Sequence, residues 1–245
     1  MKTKLPFLLL LAPCAALADL ASLPAVRSGA GANISQSPFV DGDTRTNADV
    51  LSRDQDGFDL AGATLAVSKT DARQFYVGAG VDDWDYKRGD SPQLRDMHAL
   101  DRAINLRLGG AWKLPSGVVN AEVGKDVAAH KGAQAHLRYT LNSIAPAQGS
   151  LSARPYLEGQ WLSSDMTDYY VGVDADEAKA GRPAYQAGDA LALKAGIRLE
   201  QPLGARWTLV GDVNATGYGS EITDSPIVEN STVWGGQVGL TYKWR

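Results

Sequence analysis

From Val233 to Trp244 the chain alternates hydrophobic and polar residues with a period of two. Trp234, Gly236, Val238, Leu240, Tyr242 and Trp244 fall on one face of a strand, and Val233, Gly235, Gln237, Gly239, Thr241 and Lys243 on the other. Successive strand side chains point to opposite faces, so one side is greasy and the other small or polar. A tryptophan stands at each end of the greasy face. Ten residues at ~3.3 Å rise and a tilt of roughly 40° cover about 25 Å along a membrane normal, the height of the apolar band of a transmembrane barrel. This stretch is predicted to be a barrel's closing strand. Its Gln237, Gly239, Tyr242 and Trp244 resemble the C-terminal signal read by barrel-insertion machinery, with Arg245 as a departure from the usual aromatic end.

The same grammar recurs upstream in six segments, 102–114, 118–127, 133–141, 153–162, 189–199 and 206–217. In 102–114, for example, Ile104, Leu106, Leu108, Gly110, Trp112 and Leu114 oppose Asn105, Arg107 and Lys113. In 189–199, Leu191, Leu193, Ala195, Ile197 and Leu199 oppose Lys194 and Arg198. Such repeated alternation argues half-buried strands. Short links at Pro115-Ser116-Gly117, Asn142 to Ser150 and Gln201 to Ala205 alternate with long ones at 83–101, 164–188 and 218–231. Short periplasmic turns and long outer loops follow this rule in outer-membrane barrels. Adding strands at 25–35, 57–68 and 73–83 predicts one all-β domain, a transmembrane antiparallel up-and-down barrel of about ten strands. Residues 36–56 then form an outer loop, and a strand at 47–54 would favour twelve.

The alternation also sorts the charges. Arg107, Glu122, Arg138, Arg154, Glu158, Lys194, Arg198 and Asp212 are predicted to face the lumen, where both signs interleave and must pair, because an unpaired buried charge costs several kcal/mol. Trp112, Trp161, Trp207, Trp234, Tyr242 and Trp244 are predicted to form girdles at the two membrane interfaces.

Composition changes the picture chiefly at the N-terminus. Lys2 and Lys4, the apolar run Leu5 to Leu11 and Ala16-Leu17-Ala18 read as a secretory signal peptide over 1–18, leaving 19–245 as the barrel. The lone cysteine, Cys14, lies inside it, so the mature chain has no disulfide or thiolate metal site. Without Lys2 and Lys4, 22 basic residues face 28 acidic ones, a balance that gives no hint of nucleic-acid binding. The compartment expected is the outer membrane of a Gram-negative bacterium, with lipid and lipopolysaccharide as surroundings.

Candidate chemistry is sparse. His98 sits among Asp82, Asp83, Asp85, Asp96 and Asp101, which reads as a solvated acidic rim; an Asp–His couple activating water is the alternative. Asp54-Gln55-Asp56-Gly57 has the look of a calcium loop but lacks its later glutamate. His130 and His136 are too isolated for a metal site, with His136 facing the lumen. There is no Gly-x-Ser-x-Gly nucleophile elbow and no phosphate-cradling glycine loop. No catalytic residue, cofactor or metal is expected. Asp174 and Glu177 have capping-box spacing, which with Gly181 and Pro183 predicts a helical turn over Ala175–Ala180. Trp84 and Tyr86 belong to the outer loop, as a contact patch or as girdle residues.

Two stretches carry a family resemblance. One is Tyr169-Tyr170-Val171-Gly172-Val173 running into Asp174-Ala175-Asp176-Glu177-Ala178 and Gly181-Arg182-Pro183-Ala184-Tyr185. The other is Asp224-Ser225-Pro226-Ile227-Val228-Glu229 followed by Gly236 to Tyr242; a weaker third lies around the aspartate before 102–114 and Lys131-Gly132. In this order they resemble the MipA/OmpV family of outer-membrane proteins, over roughly residues 100–244. The resemblance implies a scaffold: adaptors that tether a lytic murein transglycosylase and a bifunctional murein synthase at the outer membrane. It brings no catalytic residues with it. A narrow solute channel, and an outer-loop adhesin or surface enzyme, remain alternatives.

Overall fold

The computed structural model describes residues 27–53, 63–82, 88–144 and 151–244. The predicted signal peptide, the Asp54-Gln55-Asp56-Gly57 turn, and Asp83, Trp84, Asp85, Tyr86 and Arg245 lie outside them. Eleven strands are described: β1 (Arg27–Ser35), β2 (Arg45–Arg53), β3 (Ala63–Lys69), β4 (Arg73–Asp82), β5 (Ala103–Leu114), β6 (Gly117–Asp126), β7 (Ala133–Leu141), β8 (Ser152–Leu162), β9 (Ala190–Pro202), β10 (Trp207–Tyr218) and β11 (Thr232–Lys243). Two helices, α1 (Ser164–Val171) and α2 (Ser220–Thr223), sit in connections. No helix among the described residues is long and apolar enough to cross a membrane.

All eleven strands form one antiparallel sheet in the order β2-β1-β11-β10-β9-β8-β7-β6-β5-β4-β3. The ends of the chain meet where β1 pairs with β11, from Arg27 opposite Lys243 to Ser35 opposite Gly235. β2 and β3 are the two edges, and the sheet is not closed between them among the described residues. Ten antiparallel pairings separate them, so these edge strands run in the same direction. The eleven described strands agree with the expected barrel of about ten, and the alternative strand at 47–54 is realised as β2 at 45–53, so residues 36–56 are not all loop. The alternating signal is faint there, since 45–53 has only Ala48, Val50 and Leu51 as apolar residues and Leu51 falls out of alternation with the other two.

The outward face is apolar and largely exposed: Leu137, Leu191 and Val213 are 60%, 65% and 64% exposed. Their neighbours in the strands point inward and are buried polar residues, among them Gln74, Asn105, Glu158, Thr208 and Asp212. Such inversion, greasy outside and polar inside, is the organisation a lipid solvent imposes.

Two glycines make room for that interior. On β5, a Cβ at Gly109 would lie 2.3 Å from the Tyr76 ring, and on β9 one at Gly196 would lie 2.6 Å from the Tyr156 ring. Both tyrosines lie flat across a neighbouring inward glycine and reach a carboxylate. Replacing Gly196 with valine is therefore expected to push Tyr156 off its partner at a cost of about 1–3 kcal/mol of overpacking. Gly159→Ala, where no atom lies within 4 Å, is the control. The readout is the temperature at which the folded protein loses its faster mobility on unheated gels. Equal midpoints for the two variants would show that the interior is not packed around Tyr156.

Candidate functional site

Strand parity brings the inner charges into three groups. On β7 and β8, Arg138 Nε donates to Glu158 Oε2 while Gln160 donates to Oε1, and His136 Nδ1 stands 3.5 Å from Oε1. The Arg138 guanidinium also lies 4.6 Å from the centre of the Tyr156 ring, a cation–π contact. On β8 to β10, Asp212 Oδ1 accepts from Tyr156 at 2.9 Å and from Asn214 at 2.8 Å, with Arg198 Nε 3.9 Å from Oδ2. On β4 to β6, Glu122 accepts from Tyr76 at 2.9 Å and lies 3.9 Å from Arg107 Nε. Arg154 and Lys194 make no ion pair within 4 Å among the described residues. Lys194 stands opposite Glu158 in register, but that carboxylate is taken by Arg138 and Gln160.

The six aromatic residues segregate by strand direction. Trp112, Trp207, Tyr242 and Trp244 lie at the end of the short turns, where Tyr242 contacts Trp207 and Trp244 with ring centres 4.9 and 5.0 Å apart. Trp112 meets Phe75 edge to face there. Trp161 and Trp234 lie at the opposite, long-loop end, 37% and 48% exposed.

At that loop end the chain builds a second, apolar core. Phe39 from the β1–β2 connection, Leu94 and Met97 from the β4–β5 connection, Met166, Tyr170 and Val171 of α1, Val173 beyond it, and Ile222 and Ile227 around α2 pack together, nearly all of them fully buried. Backbone bonds stitch the connections: Val40 N donates to Ile227 O at 3.0 Å, and Phe39 bridges Val228. Ser225 Oγ donates to Val171 O at 2.5 Å, and Ser91 Oγ to Val40 O at 2.6 Å. The result is a cap across one end of the barrel.

Two arginines lock it. Arg88, 6% exposed, pairs with Glu177 at 2.9 Å and donates to Tyr169 O and Gly172 O at 3.4 and 3.3 Å. Arg182 grips Asp96 bidentately at 2.9 and 2.8 Å and donates to Gln93 O and Glu177 O. Lys179 adds a 2.8 Å contact to the same Asp96. Arg182 and then Lys179 hold the Asp96 carboxyl well below the usual carboxylate range.

Sequence reasoning expects a small helix from the 164–188 connection over the barrel mouth, and misses the apolar core that the other connections build with it. The segment expected as a helical turn, Ala175–Ala180, forms turns, while the helix is α1, earlier in the same connection. Half of the capping box is present, since Asp174 N donates to Glu177 Oε2 at 3.2 Å. Arg88 and the His98 N–H, at 2.7 Å, draw the rest of that carboxylate into the cap. Gly181 does end the segment, with φ at +84°. His98 meets Asp174 and Asp176 across the cap, with possible ligand atoms within 4.8 Å of one another, all three exposed. His130 packs against Tyr169 and Tyr170.

Two outcomes follow for the cap. Arg88→Ala removes the ion-pair partner of the buried Glu177 carboxylate and should cost about 3–5 kcal/mol, whereas Arg88→Met with Glu177→Leu recovers most of it; denaturant midpoints of the cap's hydrogen exchange decide. For Asp96, a carboxyl with a lowered folded pKa adds stability above its unfolded value of about 3.9 and loses it as pH falls toward the folded one. Amides in 88–102 are thus expected to hold their protection from pH 7 down to about 4 and lose part of it below. Asp96→Asn should flatten that step, and an unchanged step would assign it to another group.

Comparison with known proteins places this architecture. The family described as MltA-interacting protein MipA matches residues 26–244. Outer membrane protein Omp26La of Vibrio anguillarum is 30% identical over 161 residues, 65% of this chain. Outer membrane protein OmpV of Vibrio cholerae is 29% identical over 161 residues, again 65% of this chain. The match spans 60% of the length of each of these two relatives. The MltA-interacting protein of Escherichia coli is 31% identical over 99 residues, 39% of each chain. An inverted wall of antiparallel strands and relatives named as outer membrane proteins make this an outer-membrane β-barrel. With its match running through all eleven strands, the chain belongs to the MltA-interacting protein MipA family.

Proposed function

We propose that this barrel works by binding: it is a scaffold whose short-turn end faces the periplasm and docks enzymes that cut and build murein. The observation that carries this reading is the cap. A barrel built to pass solutes freely would keep its mouth open, and here twelve buried hydrophobic residues pack over it. The interior beneath is occupied by the Arg138–Glu158, Arg198–Asp212 and Arg107–Glu122 groups, which leave no wide aqueous bore of the porin kind. The turn end, by contrast, presents Leu114, Ile144, Leu151 and Leu203, each more than 40% exposed. One relative's name records interaction with MltA. Lipid, lipopolysaccharide and the barrel-insertion machinery are its other partners in this reading, and the chain itself catalyses nothing.

A narrow channel is the second reading, favoured by Arg154 and Lys194, which make no ion pair within 4 Å among the described residues. The test is mild cross-linking of intact cells, capture of a tagged full chain from solubilised envelopes, and identification of what co-purifies. Lytic transglycosylases or murein synthases should be enriched over an unrelated barrel control and lost with Ile144→Glu plus Leu203→Glu. Equal recovery from the control would overturn the scaffold. A steady single-channel conductance that Arg107→Gln or Arg154→Gln alters would put the channel first.

A further inference from the structure

On the lipid-facing side of the wall, outward residues near the long-loop end stand in register across the strands. One row holds Val123, Ala135 and Trp161 on β6 to β8. The next row toward the turns holds Leu137, Gly159, Leu193 and Gly217 on β7 to β10. Large and minimal side chains alternate in that second row, and a hollow of about 680 Å³ opens over it, with Trp161 on its loop-ward side. A Cβ at Gly159 would have no atom within 4 Å, so part of the floor is bare backbone. On a wall bathed in lipid such a hollow takes up hydrocarbon, because an empty one forfeits its dispersion contacts.

Two residues further toward the loops, about 7 Å along the strand, the wall changes character. Lys125 takes the outward position after Val123 on β6, opposite Leu106 and Ala133, and Lys131 belongs to the link from β6 to β7. Both lysines are exposed. Lys125 Nζ donates to Lys131 O, while Lys131 Nζ donates to Val127 O and, at 3.0 Å, to Ala128 O. These contacts gather two ammonium groups into one hairpin and leave each with a proton to donate. Neither makes an ion pair within 4 Å among the described residues. Asp126, between them in sequence, is buried, and its oxygens accept from the N–H groups of Ile104, Ala128 and Lys131. Asp101 and Arg102, both exposed ahead of β5, offset each other, and Asp165 and Asp189 stand exposed beyond β8 and before β9. The cationic part of this rim is therefore the β6–β7 hairpin, in a chain whose overall charge is −4. It lies just beyond the level of Trp161, where lipid headgroups meet water.

We propose that this face of the wall, from the β6–β7 hairpin to the hollow over Gly159, holds a multiply acylated, phosphorylated lipid of the outer leaflet, with its phosphate on Lys125 and Lys131. Charge-assisted hydrogen bonds from the two ammonium groups fix the head, and the chains lie on Val123 and Leu137 and enter the hollow. Lys125 and Gly159 are two strands apart, about 10 Å, so several tails side by side cover both features. The proposal names where the lipid partner of the reading above is held. It rests on that reading's orientation, long loops outward, and uses no residue of the turn end, so loss of murein-enzyme capture and loss of lipid binding are separate results.

The experiment is native mass spectrometry of the purified, detergent-folded full chain titrated with hexa-acyl bisphosphorylated lipid A, with phosphatidylethanolamine as the two-tailed, single-phosphate comparator. Lipid A is expected to bind saturably, and phosphatidylethanolamine at least about tenfold more weakly. Lys125→Gln with Lys131→Gln should weaken lipid A binding at least about tenfold, and Lys125→Arg with Lys131→Arg should retain it. Gly159→Leu, which fills the hollow from its floor, should weaken it as well. Heat-dependent gel mobility verifies that each variant is folded; should the charge-removing double variant not fold, raising ammonium acetate from about 0.05 to 0.5 M on the unaltered chain is expected to weaken lipid A binding in its place. Absence of saturable lipid A binding, or binding unchanged in the folded charge-removing variant, overturns the site. Phosphatidylethanolamine binding as tightly as lipid A overturns the choice of lipid, and binding indifferent to Gly159→Leu overturns the part given to the hollow.

Discussion

Everything in this molecule follows from the absence of water on one side of its wall. In lipid each backbone N–H and C=O must find a partner in the protein, and a sheet satisfies them strand by strand. The same solvent claims the outward side chains, leaving Leu106, Leu108, Leu191, Val213 and Val238 outside. Polar residues then have only the interior to go to. Because that interior is narrow, they crowd, and crowding forces pairing: three carboxylates are shared among three arginines, two tyrosines and neighbouring amides. The inner face is thus a consequence of the outer one.

The cap solves a different problem with ordinary means. Beyond the membrane band, water returns, and the connections at that end do what soluble chains do: they bury apolar side chains together. Tyr170, Met166, Ile222 and Ile227 form a core of the familiar kind, and Arg88 and Arg182 tie its segments by satisfying carbonyls that no strand reaches. The protein has two opposed hydrophobic designs joined end to end, an inside-out wall and a right-way-round lid.

That division explains what the sequence discloses. The wall was legible because a period of two is imposed on every strand by geometry, and the boundaries of 102–114, 133–141 and 206–217 match β5, β7 and β10 within a residue or so. β2 was harder, because it has only Ala48, Val50 and Leu51 as apolar residues and Leu51 breaks the alternation. Of the cap, only a short helix in the 164–188 connection was legible. Many of its core residues stand singly in polar connections, Phe39 next to Pro38 and Leu94 between Gln93 and Arg95, with no period to betray them. Glu177 shows the limit well: its spacing from Asp174 announces a local cap, yet its energetic partner is Arg88, 89 residues away. Pairing of inner charges lay in between, since parity gives the face a residue points to and only coordinates tell that Glu158 chooses Arg138 over Lys194.

The bond from Val40 to Ile227 joins a segment just after β1 to one just before β11. β1 and β11, the first and last of the described strands, meet at that seam, so the lid draws on loops that become neighbours only when these two strands pair. Long-range closure of this kind is slow and entropically expensive. The apolar core of the lid is consequently complete only in a molecule whose β1 has found β11; before that point Phe39 and Ile227 lack the neighbours that bury them.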